Sequence, residues 1–462
     1  MGKNYDYDYI IIGSGPAGRT AALNLTKAKK RVALVESHAF GGADINTRDL
    51  PYAYGLDFAH TFYKIKKNKA LSGQDFHFNF PSLIAEEDRI IASARNSAKA
   101  PLNEAEITYL EGYANFLDAN TIAVSGKKYT AARFILATGT ELKTTGISGL
   151  ENVNYLTPDT AIKNRRLPEF VFVIGGGPTG CEIAEYYAKL GTRILIMEKS
   201  PRLLPREDKE VSEEITKYFA DDLGIMVITN SKVVAIAQDE LSKSVIFTAN
   251  GQEKMVRVDC IILATGSAPS VNYGLENAGV KYNNTGIIVD RYYQTSAKNI
   301  FAIGDAITNP NVDPTFSSTE RAEYEASILV NNLVHKTKTP ANYNGFIRSV
   351  NTEPEVAVVG ANERDLTSRK QKFKKSIVTL NSLPIGSAAS QAYGFVKILA
   401  DGSGHILGAS IVSPNAKIIA AELSLAIRHN ITTLELASTP HPADNYTQAI
   451  KFAAKNLIIK KK

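Results

Sequence analysis

Cysteine is almost absent from this sequence. Only Cys181 and Cys260 occur among its 462 residues. Two cysteines provide neither a disulfide framework nor the ligands of a cysteine-bound metal site. We therefore expect a cytoplasmic protein that binds no metal.

Several other features are missing. No apolar run approaches the roughly 18 residues of a membrane-spanning helix, and the N-terminal segment MGKNYDYDYIIIGSG lacks a signal-peptide core. The net charge is +6, but the basic residues are scattered except for the tail Lys460–Lys462. Nucleic-acid binding requires a clustered basic face, so we expect none. The sequence also has no solenoid repeat and no low-complexity tract.

The composition is that of a globular protein of about three domains. Hydrophobic residues make up 44% and charged residues 22% of the chain, which are average proportions. A domain usually takes roughly 100–200 residues. We place the segments at 1–150, 151–271, 272–338 and 339–462, and we expect the third segment to return to the first domain.

A dinucleotide-binding fingerprint lies near the N-terminus. The apolar run Tyr9–Ile12 predicts a buried strand, GSGPAG at 13–18 predicts a tight turn, and Ala21–Lys27 predicts a helix. Glycines in such a turn let the backbone approach a pyrophosphate, which the helix N-terminus attracts. A second strand, Val32–Val35, ends at Glu36, which is placed to accept hydrogen bonds from ribose hydroxyls.

A second fingerprint repeats this arrangement. Strand Val171–Ile174 precedes GGGPTG at 175–180, helix Cys181–Leu190 follows, and strand Arg193–Met197 ends at Glu198. Two fingerprints predict two dinucleotides, which an oxidoreductase uses as donor and relay. The acidic Glu198 favours the free 2′-hydroxyl of NADH, while two basic residues close by leave NADPH as the alternative.

The rest of the chain supplies further nucleotide-site signals and a separate C-terminal unit. Ala-Thr-Gly occurs at Ala137–Gly139 and again at Ala264–Gly266, each time after a strand, and its small residues let the backbone pack close to a nucleotide. A later strand ends at Gly304-Asp305. Beyond a polar linker, we predict an α+β unit with strands at 355–359, 374–380 and 394–399 and helices at 416–428 and 447–457.

Taken together, these motifs resemble the two-dinucleotide flavoprotein disulfide reductases, a family that includes dihydrolipoamide dehydrogenase, glutathione reductase and mercuric reductase. The resemblance covers essentially the whole chain. Its motifs are GSGPAG with Glu36, GGADINTRDLP from Gly41, GGGPTGCE, TEPEVAVVG from Thr352 and HPADNYTQAI from His441. It implies an α/β fold with two Rossmann-like domains, for FAD and NAD(P), and a C-terminal α+β domain that forms a homodimer.

The resemblance also implies which residues contact the cofactors. Glu36 would hold the FAD ribose, Asp305 the ribitol and Glu182 the nicotinamide carboxamide. The remaining cofactor contacts would come from small residues of the turns and from Glu198: Gly13, Ser14, Gly15, Pro16, Ala17, Gly18, Gly42, Ala43, Ala114, Ala137, Thr138, Gly139, Gly175, Gly177, Gly180, Gly266 and Gly304.

The chain departs from the family at its redox centre. Asp44 and Asp49 stand where the family has its two cysteines, and the family lysine that follows is missing, because Pro51 is followed by Tyr52 and Ala53. Disulfide chemistry requires a thiolate, which an aspartate cannot provide. Disulfide reductase activity is therefore excluded on chemical grounds.

The C-terminal histidine motif is altered as well. An ungapped match to the family's His-x-His-Pro-Thr-x-x-Glu places Ala443 at the catalytic histidine and Gln448 at its glutamate. A slip of two residues would instead make His441 the catalytic residue, with Tyr446 at the glutamate. We prefer the ungapped match, because Ala449-Ile450 then stays in register, and keep His441 as a candidate.

These observations predict an FAD-dependent NAD(P)H oxidoreductase that passes electrons to a small non-disulfide acceptor, with a quinone as the favoured class. A pyridine nucleotide transhydrogenase is one alternative, since that reaction needs no disulfide. The other is a non-catalytic redox sensor that binds flavin and NAD. No membrane or nucleic-acid partner is expected.

Two interpretations of Asp44 and Asp49 remain open. In the structural one, Asp44 caps a helix and Asp49 lies in its first turns, where carboxylates are favoured. In the catalytic one, a carboxyl group faces the flavin and relays a proton. A carboxylate about 4 Å from anionic reduced flavin would cost roughly 4 kcal/mol at an effective dielectric near 20, unless Arg48 neutralises the pair.

Overall fold

The computed structural model describes residues 4–71, 75–143, 146–240, 242–308, 318–388 and 393–458. The lysine tail lies outside these ranges. The chain forms two compact units. The first comprises Met1–Tyr52, Pro81–Thr144 and Gly266–Tyr343, and the second comprises Ala53–Phe80, Thr145–Thr265 and Asn344–Lys462.

The strands of the described residues, in chain order, are β1 Tyr7–Ile12, β2 Val32–Glu36, β3 Thr108–Glu111, β4 Ala114–Asp118, β5 Thr121–Val124, β6 Lys127–Leu136, β7 Thr140–Leu142, β8 Phe170–Ile174, β9 Arg193–Met197, β10 Met226–Ile228, β11 Lys232–Gln238, β12 Lys243–Ala249, β13 Gln252–Val258, β14 Cys260–Leu263, β15 Ser267–Pro269, β16 Tyr282–Asn283, β17 Gly286–Ile288, β18 Ile300–Ala302, β19 Ile307–Thr308, β20 Ile347–Val350, β21 Glu355–Gly360, β22 Lys374–Thr379, β23 Phe395–Ala400 and β24 Ile406–Ser413.

The α-helices of the same residues are α1 Pro16–Lys27, α2 Gly42–Asn46, α3 Asp49–Lys67, α4 Phe80–Glu104, α5 Pro158–Ala161, α6 Pro178–Lys189, α7 Lys209–Asp221, α8 Thr319–His335, α9 Glu363–Ser368, α10 Pro384–Ala388, α11 Ala416–Arg428, α12 Thr433–Ser438 and α13 Gln448–Asn456.

The first unit is built on a sheet with the order β3-β2-β1-β6-β5-β4, in which β18 also pairs with β6. Strands β3, β2, β1, β6 and β18 run parallel, whereas β5 runs antiparallel to both β4 and β6. Ile10 lies opposite Ala33 on one side and Phe134 on the other. The last four residues of β1 are buried, as expected for a central strand of a parallel sheet covered on both faces.

The described residues of the second unit form three sheets. Strands β10-β9-β8-β14 form a parallel sheet, β11-β12-β13 an antiparallel one, and β20-β21-β24-β23-β22 a five-stranded antiparallel one. The core of the last sheet includes Ile398 and Ile411 from its strands, Leu423 from α11 and Ile450 from α13. The predicted fold class, two Rossmann-like domains plus a C-terminal α+β domain, is confirmed.

Several elements differ from the sequence-based prediction. Helices α1 and α6 begin at Pro16 and Pro178, several residues earlier than predicted, because proline fits the first position of a helix. The prediction missed β24 because a glycine interrupts its apolar pattern. Gly408 is needed there, since a Cβ on it would lie 1.9 Å from the Ala361 carbonyl oxygen. It also missed the β11–β13 hairpins and the long helix α4.

Within the described ranges, no helix is both long and apolar enough to cross a membrane.

A buried lysine in the second unit pairs with three carboxylates from other elements. Lys397 on β23 has a fully buried side chain, with its Nζ 3.0 Å from Asp208 and 2.7 Å from Glu210, and it also pairs with Glu363. Burial alone would lower the pKa of Lys397, but its hydrogen bonds to Glu210 and Glu363 and its interactions with Asp208 together raise it. The three carboxylates offer oxygens within 4.8 Å of one another, yet the ammonium group already serves as their cation.

Replacement of Lys397 by methionine should remove the buried cation that pairs with Asp208, Glu210 and Glu363. Removal of one partner from a buried ion pair costs about 3–5 kcal/mol, so we expect the free energy of unfolding in urea to fall by that amount. Lys375 contacts Glu210 and Glu363 as well, but its side chain is 46% exposed. Lys375→Met is the matched control, with an expected loss of about 0–1 kcal/mol. Equal losses of unfolding free energy in the two variants would contradict the conclusion that the buried Lys397 stabilises the unit more than Lys375 does.

Candidate functional site

The first dinucleotide turn joins β1 to α1 with no side chain between the backbone segments. Gly13 has φ +107°, and a Cβ there would lie 2.2 Å from the Ala137 carbonyl oxygen. A Cβ on Gly18 would lie 1.8 Å from the Gly13 carbonyl oxygen. Among the described residues, no side chain caps the N-terminus of α1. Its free N–H groups and the bare backbone fit the pyrophosphate of a dinucleotide.

Glu36 lies beside this turn at the end of β2. Its Oε2 accepts hydrogen bonds from the Ser14 N–H at 2.9 Å and the Ser14 hydroxyl at 2.7 Å, and its Oε1 accepts one from the His38 N–H at 2.9 Å. These contacts fix the Glu36 carboxylate beside the turn, and its binding of a ribose stays a prediction.

The second turn repeats the first in the second unit. A Cβ on Gly175 would lie 2.3 Å from the Ala264 carbonyl oxygen, and one on Gly180 would lie 2.0 Å from the Gly175 carbonyl oxygen. Glu198 at the end of β9 accepts hydrogen bonds from the Gly176 and Ser200 N–H groups, each at 2.7 Å. Both turns therefore have the same close backbone contacts, between the first and last glycine and between the first glycine and an Ala-Thr-Gly segment. A glutamate follows in both cases.

The basic residues near Glu198 differ in their contacts. Arg202 donates to the Glu207 carbonyl oxygen at 3.1 Å, within its own loop, and Lys199 is exposed. Glu198 itself is only 6% exposed. The charge fixed closest to the second turn is therefore negative.

A tight segment from Gly41 to Asp44 lies directly on the first turn. Gly41 and Gly42 both have left-handed φ angles, +113° and +76°. A Cβ on Gly42 would lie 2.5 Å from the Gly15 Cα. The Gly41 N–H also donates to the Ser14 hydroxyl at 2.9 Å. Residues 41–44 therefore lie against the first turn, and their contact with a nucleotide stays a prediction.

Asp44 forms an ion pair with Arg19, a residue that the sequence analysis missed. The two side chains are 2.8 Å apart and are 12% and 14% exposed. Asp44 lies inside α2, so the prediction that it caps a helix is wrong. Arg19 on α1 supplies a counter-charge to Asp44. The available signal was a basic residue immediately after the GSGPAG segment.

Asp49 has a different environment. It is the first residue of α3, and its Oδ2 accepts a hydrogen bond of 2.5 Å from the hydroxyl of Thr319, the first residue of α8. Asp49 is an exposed residue. Desolvation by the surrounding protein nevertheless raises the pKa of Asp49, as do the charges of Asp44 and Glu320, against the opposing hydrogen bond from Thr319. Asp49 therefore keeps a proton to a higher pH than an ordinary aspartate.

Only some of the other residues predicted to bind the first dinucleotide lie close to one another. Gly304 lies next to Ala17, since a Cβ on Gly304 would be 3.6 Å from the Ala17 Cβ. The Thr138 hydroxyl donates to the Ser270 carbonyl oxygen at 2.9 Å. Ala114, at the start of β4, is 1% exposed and packs in the core of the first unit, whereas Ala43 is exposed.

Asp305 is held by a buried arginine. Its carboxylate pairs with Arg321 on α8, whose side chain is 4% exposed. Glu325, one turn further along α8, accepts a hydrogen bond of 2.7 Å from the Gly304 N–H. This arrangement fixes the Gly304-Asp305 segment, and the assignment of Asp305 to a ribitol stays a prediction.

Glu182 on α6 anchors a neighbouring segment of its own unit. Its Oε1 accepts hydrogen bonds from the Asn351 N–H at 2.7 Å and the Asn351 side chain at 2.9 Å. Sequence analysis missed Asn351, for which no motif gives a signal. The nicotinamide role of Glu182 stays a prediction.

Neither cysteine has an environment suited to redox chemistry. Both Cys181 and Cys260 are buried. Burial raises the pKa of the Cys181 thiol well above its usual value and that of Cys260 to about 12. A buried thiol with a raised pKa supplies little of the reactive thiolate.

His441 is engaged within the second unit. Its Nε2 lies 3.1 Å from a carboxylate oxygen of Glu422, and its Nδ1 lies 2.8 Å from the Thr439 carbonyl oxygen. Ala443 is exposed, and Gln448 begins α13. Both alignments of the histidine motif stay predictions.

Comparison with known proteins links these features to one family. Residues 7–326 match the family model described as pyridine nucleotide-disulphide oxidoreductase, and residues 347–454 match its dimerisation domain. A mercuric reductase from Lysinibacillus sphaericus is 30% identical over 455 residues, which cover 97% of this chain and 82% of that protein. A dihydrolipoyl dehydrogenase from Mycoplasma pneumoniae is 30% identical over 454 residues, covering 95% and 96%.

A solved structure has the same fold. The HOCl-induced flavoprotein disulfide reductase RclA from Escherichia coli matches with a TM-score of 0.86 at 22% identity, over 98% of this chain and 100% of that one.

The second turn offers a test that separates binding from folding. A Cβ on Gly177 would meet no atom within 4 Å, whereas one on Gly180 would lie 2.0 Å from the Gly175 carbonyl oxygen. Gly177→Ala should keep the unfolding midpoint but weaken NADH binding, because the added methyl group stands where backbone and pyrophosphate meet. Gly180→Ala should lower both the unfolding midpoint and the affinity for NADH. Thermal unfolding and NADH titration give the two readouts, and unchanged NADH binding in Gly177→Ala would refute this location of the nucleotide.

Proposed function

Because this chain belongs to the pyridine nucleotide-disulphide oxidoreductase family yet has aspartates at both redox-active cysteine positions, we propose that it is an FAD-dependent NAD(P)H oxidoreductase that reduces a small non-disulfide acceptor, with a quinone as the favoured class. Family members are FAD-dependent NAD(P)H oxidoreductases. Bound FAD supplies the two-electron redox chemistry, and the protein supplies binding, orientation and proton handling.

The chemistry of the aspartate centre is the observation that carries this proposal. Reduction of a disulfide begins with attack by a thiolate. Asp44 and Asp49 occupy the family's two sulfur positions, and the pKa values of both cysteines are raised by burial. An acceptor that takes electrons without a covalent bond to sulfur is therefore required. Quinones satisfy that requirement, and lipoamide or glutathione disulfide does not.

Asp49 is the proposed acid. Reduction of a quinone to a hydroquinone consumes two electrons and two protons, and a positioned carboxylic acid can deliver one of the protons. The pKa of Asp49 is raised, so it holds a proton where an ordinary aspartate would not. The hydroxyl of Thr319 fixes one of its oxygens at 2.5 Å.

NADH is the proposed donor. The Glu198 carboxylate is buried and held by two backbone N–H groups beside the second turn. A fixed negative charge accepts hydrogen bonds from a free 2′-hydroxyl and repels a 2′-phosphate.

We further propose a cytoplasmic homodimer formed through the C-terminal domain. Residues 347–454 match a dimerisation domain. Ile418 and Leu425, two turns apart on one face of α11, are 74% and 60% exposed. Exposed apolar residues that share a helix face favour a protein contact there.

Anaerobic stopped-flow spectroscopy tests the function. Mixing the purified yellow protein with NADH should bleach the flavin absorbance rapidly, and NADPH should act more slowly. A quinone should then restore the absorbance, whereas lipoamide and glutathione disulfide should not. Restoration by a nicotinamide analogue but no quinone would favour transhydrogenation instead. If neither nucleotide bleaches the flavin within minutes, the enzyme proposal fails in favour of a redox sensor.

The pH profile of quinone reduction tests Asp49. The protonated acid is present below its raised pKa and lost above it, so the rate should fall as the pH rises through that value. Asp49→Asn should remove this limb and lower the low-pH rate roughly 100-fold, with flavin reduction by NADH retained. Asp57→Asn, at an exposed position of the same helix, is the control. An unchanged profile in Asp49→Asn would exclude the acid role.

A further inference from the structure

Residues 41–44 and the first dinucleotide turn are joined by more than packing. Gly42 touches Gly15 through backbone alone, and the Gly41 N–H donates to the Ser14 hydroxyl at 2.9 Å. That hydroxyl in turn donates to Glu36 at 2.7 Å, and Ser14 is fully buried. Glu36, the turn and the 41–44 segment therefore form one connected polar network.

Arg19 closes this network from the α1 side. Its guanidinium donates to the Ser14 carbonyl oxygen at 3.0 Å, to the Gly41 carbonyl oxygen, and to Asp44 at 2.8 Å. It therefore contacts both the first turn and the 41–44 segment. The side chain is 14% exposed, so solvent screens its charge only weakly.

Within the described residues, the Asp44 carboxylate is paired with the Arg19 cation. Its Oδ2 binds Arg19, whereas its Oδ1 is buried and, within the described residues, has no hydrogen-bond partner. A buried carboxylate that loses its counter-charge is costly. The cost would be greater beside a bound pyrophosphate, which is also negatively charged.

We propose that Arg19, with Asp44 as its counter-ion, is a cofactor latch, which fastens residues 41–44 over the dinucleotide turn and slows the release of FAD. Asp44 then occupies the family's first cysteine position as the counter-ion of Arg19, not as a redox or proton-transfer group. Both are positioning residues. The inference rests on the proposed binding of FAD in the first unit.

The two halves of the latch should respond unequally to substitution. Arg19→Met leaves Asp44 without a counter-charge next to the pyrophosphate site, so FAD should be released more easily. Asp44→Asn leaves Arg19 bound to two carbonyl oxygens and adds net positive charge beside the first turn, so FAD should be retained. In the double variant Arg19→Met/Asp44→Asn, the carboxylate without a counter-charge is removed, so the retention of FAD should recover in part.

FAD release from the purified holoprotein tests the latch. Flavin fluorescence rises when FAD leaves the protein, and circular dichroism at the same temperature shows that the chain stays folded. Arg19→Met should release FAD at least about tenfold faster than the wild type, or roughly 1.4 kcal/mol, and Arg19→Met/Asp44→Asn should be slower than Arg19→Met. Arg19→Lys should release FAD at a rate close to that of the wild type, since lysine keeps the positive charge.

A surface ion pair of the same unit supplies the matched control. Arg31 pairs with Asp8 at 3.2 Å, but the two side chains are 57% and 37% exposed. Arg31→Gln should leave the release rate unchanged. Three results would each overturn the latch. Arg19→Met could release FAD at the wild-type rate, Arg31→Gln could release FAD as fast as Arg19→Met, or the double variant could release it no more slowly than Arg19→Met. A wild-type protein that binds no FAD would overturn the proposed function together with the latch.

Discussion

The structure depends on backbone meeting backbone at two strand-to-helix turns. A Cβ on Gly18 or on Gly180 would lie 1.8 or 2.0 Å from a carbonyl oxygen of its own turn, so only glycine allows α1 and α6 to pack that close to their strands. Among the described residues, no side chain caps the N-terminus of either helix, so both can attract an anion. An acidic residue then ends the next strand of each turn. Cofactor binding is thus a consequence of how the two helices pack.

The centre beside the first turn keeps negative charge where the family has sulfur. Asp44 and Asp49 are chemically identical, but their partners give them different properties. Asp44 is neutralised by Arg19 at 2.8 Å. Asp49 lies where the N-termini of α3 and α8 meet, which favours an anion, yet desolvation and the charges of Asp44 and Glu320 raise its pKa. One aspartate is therefore suited to hold a segment in place, and the other to carry a proton.

Local sequence patterns predicted elements with an uninterrupted period well and the contacts between distant segments poorly. Strand β9, Arg193–Met197, and helix α11, Ala416–Arg428, have the predicted bounds, because each has an uninterrupted period and clear end signals. Arg19 was missed because its partner Asp44 is 25 positions away, and no periodicity links them. Strand β24 was missed because Gly408 serves a close approach by Ala361, which only the tertiary fold creates.

Loss of the sulfur centre limits what the remaining residues can exchange with an acceptor. Cys181 and Cys260 are buried thiols, so no residue described here offers a ready thiolate for a covalent intermediate. Carboxylates move protons but not electron pairs between flavin and substrate. Under the proposed function, electrons must therefore pass to the acceptor directly, and the protein contributes only position, charge and a proton. A quinone takes up two electrons and two protons without a covalent bond to sulfur, whereas reduction of a disulfide begins with attack by a thiolate, and for that reason the proposed acceptor is a quinone and not a disulfide.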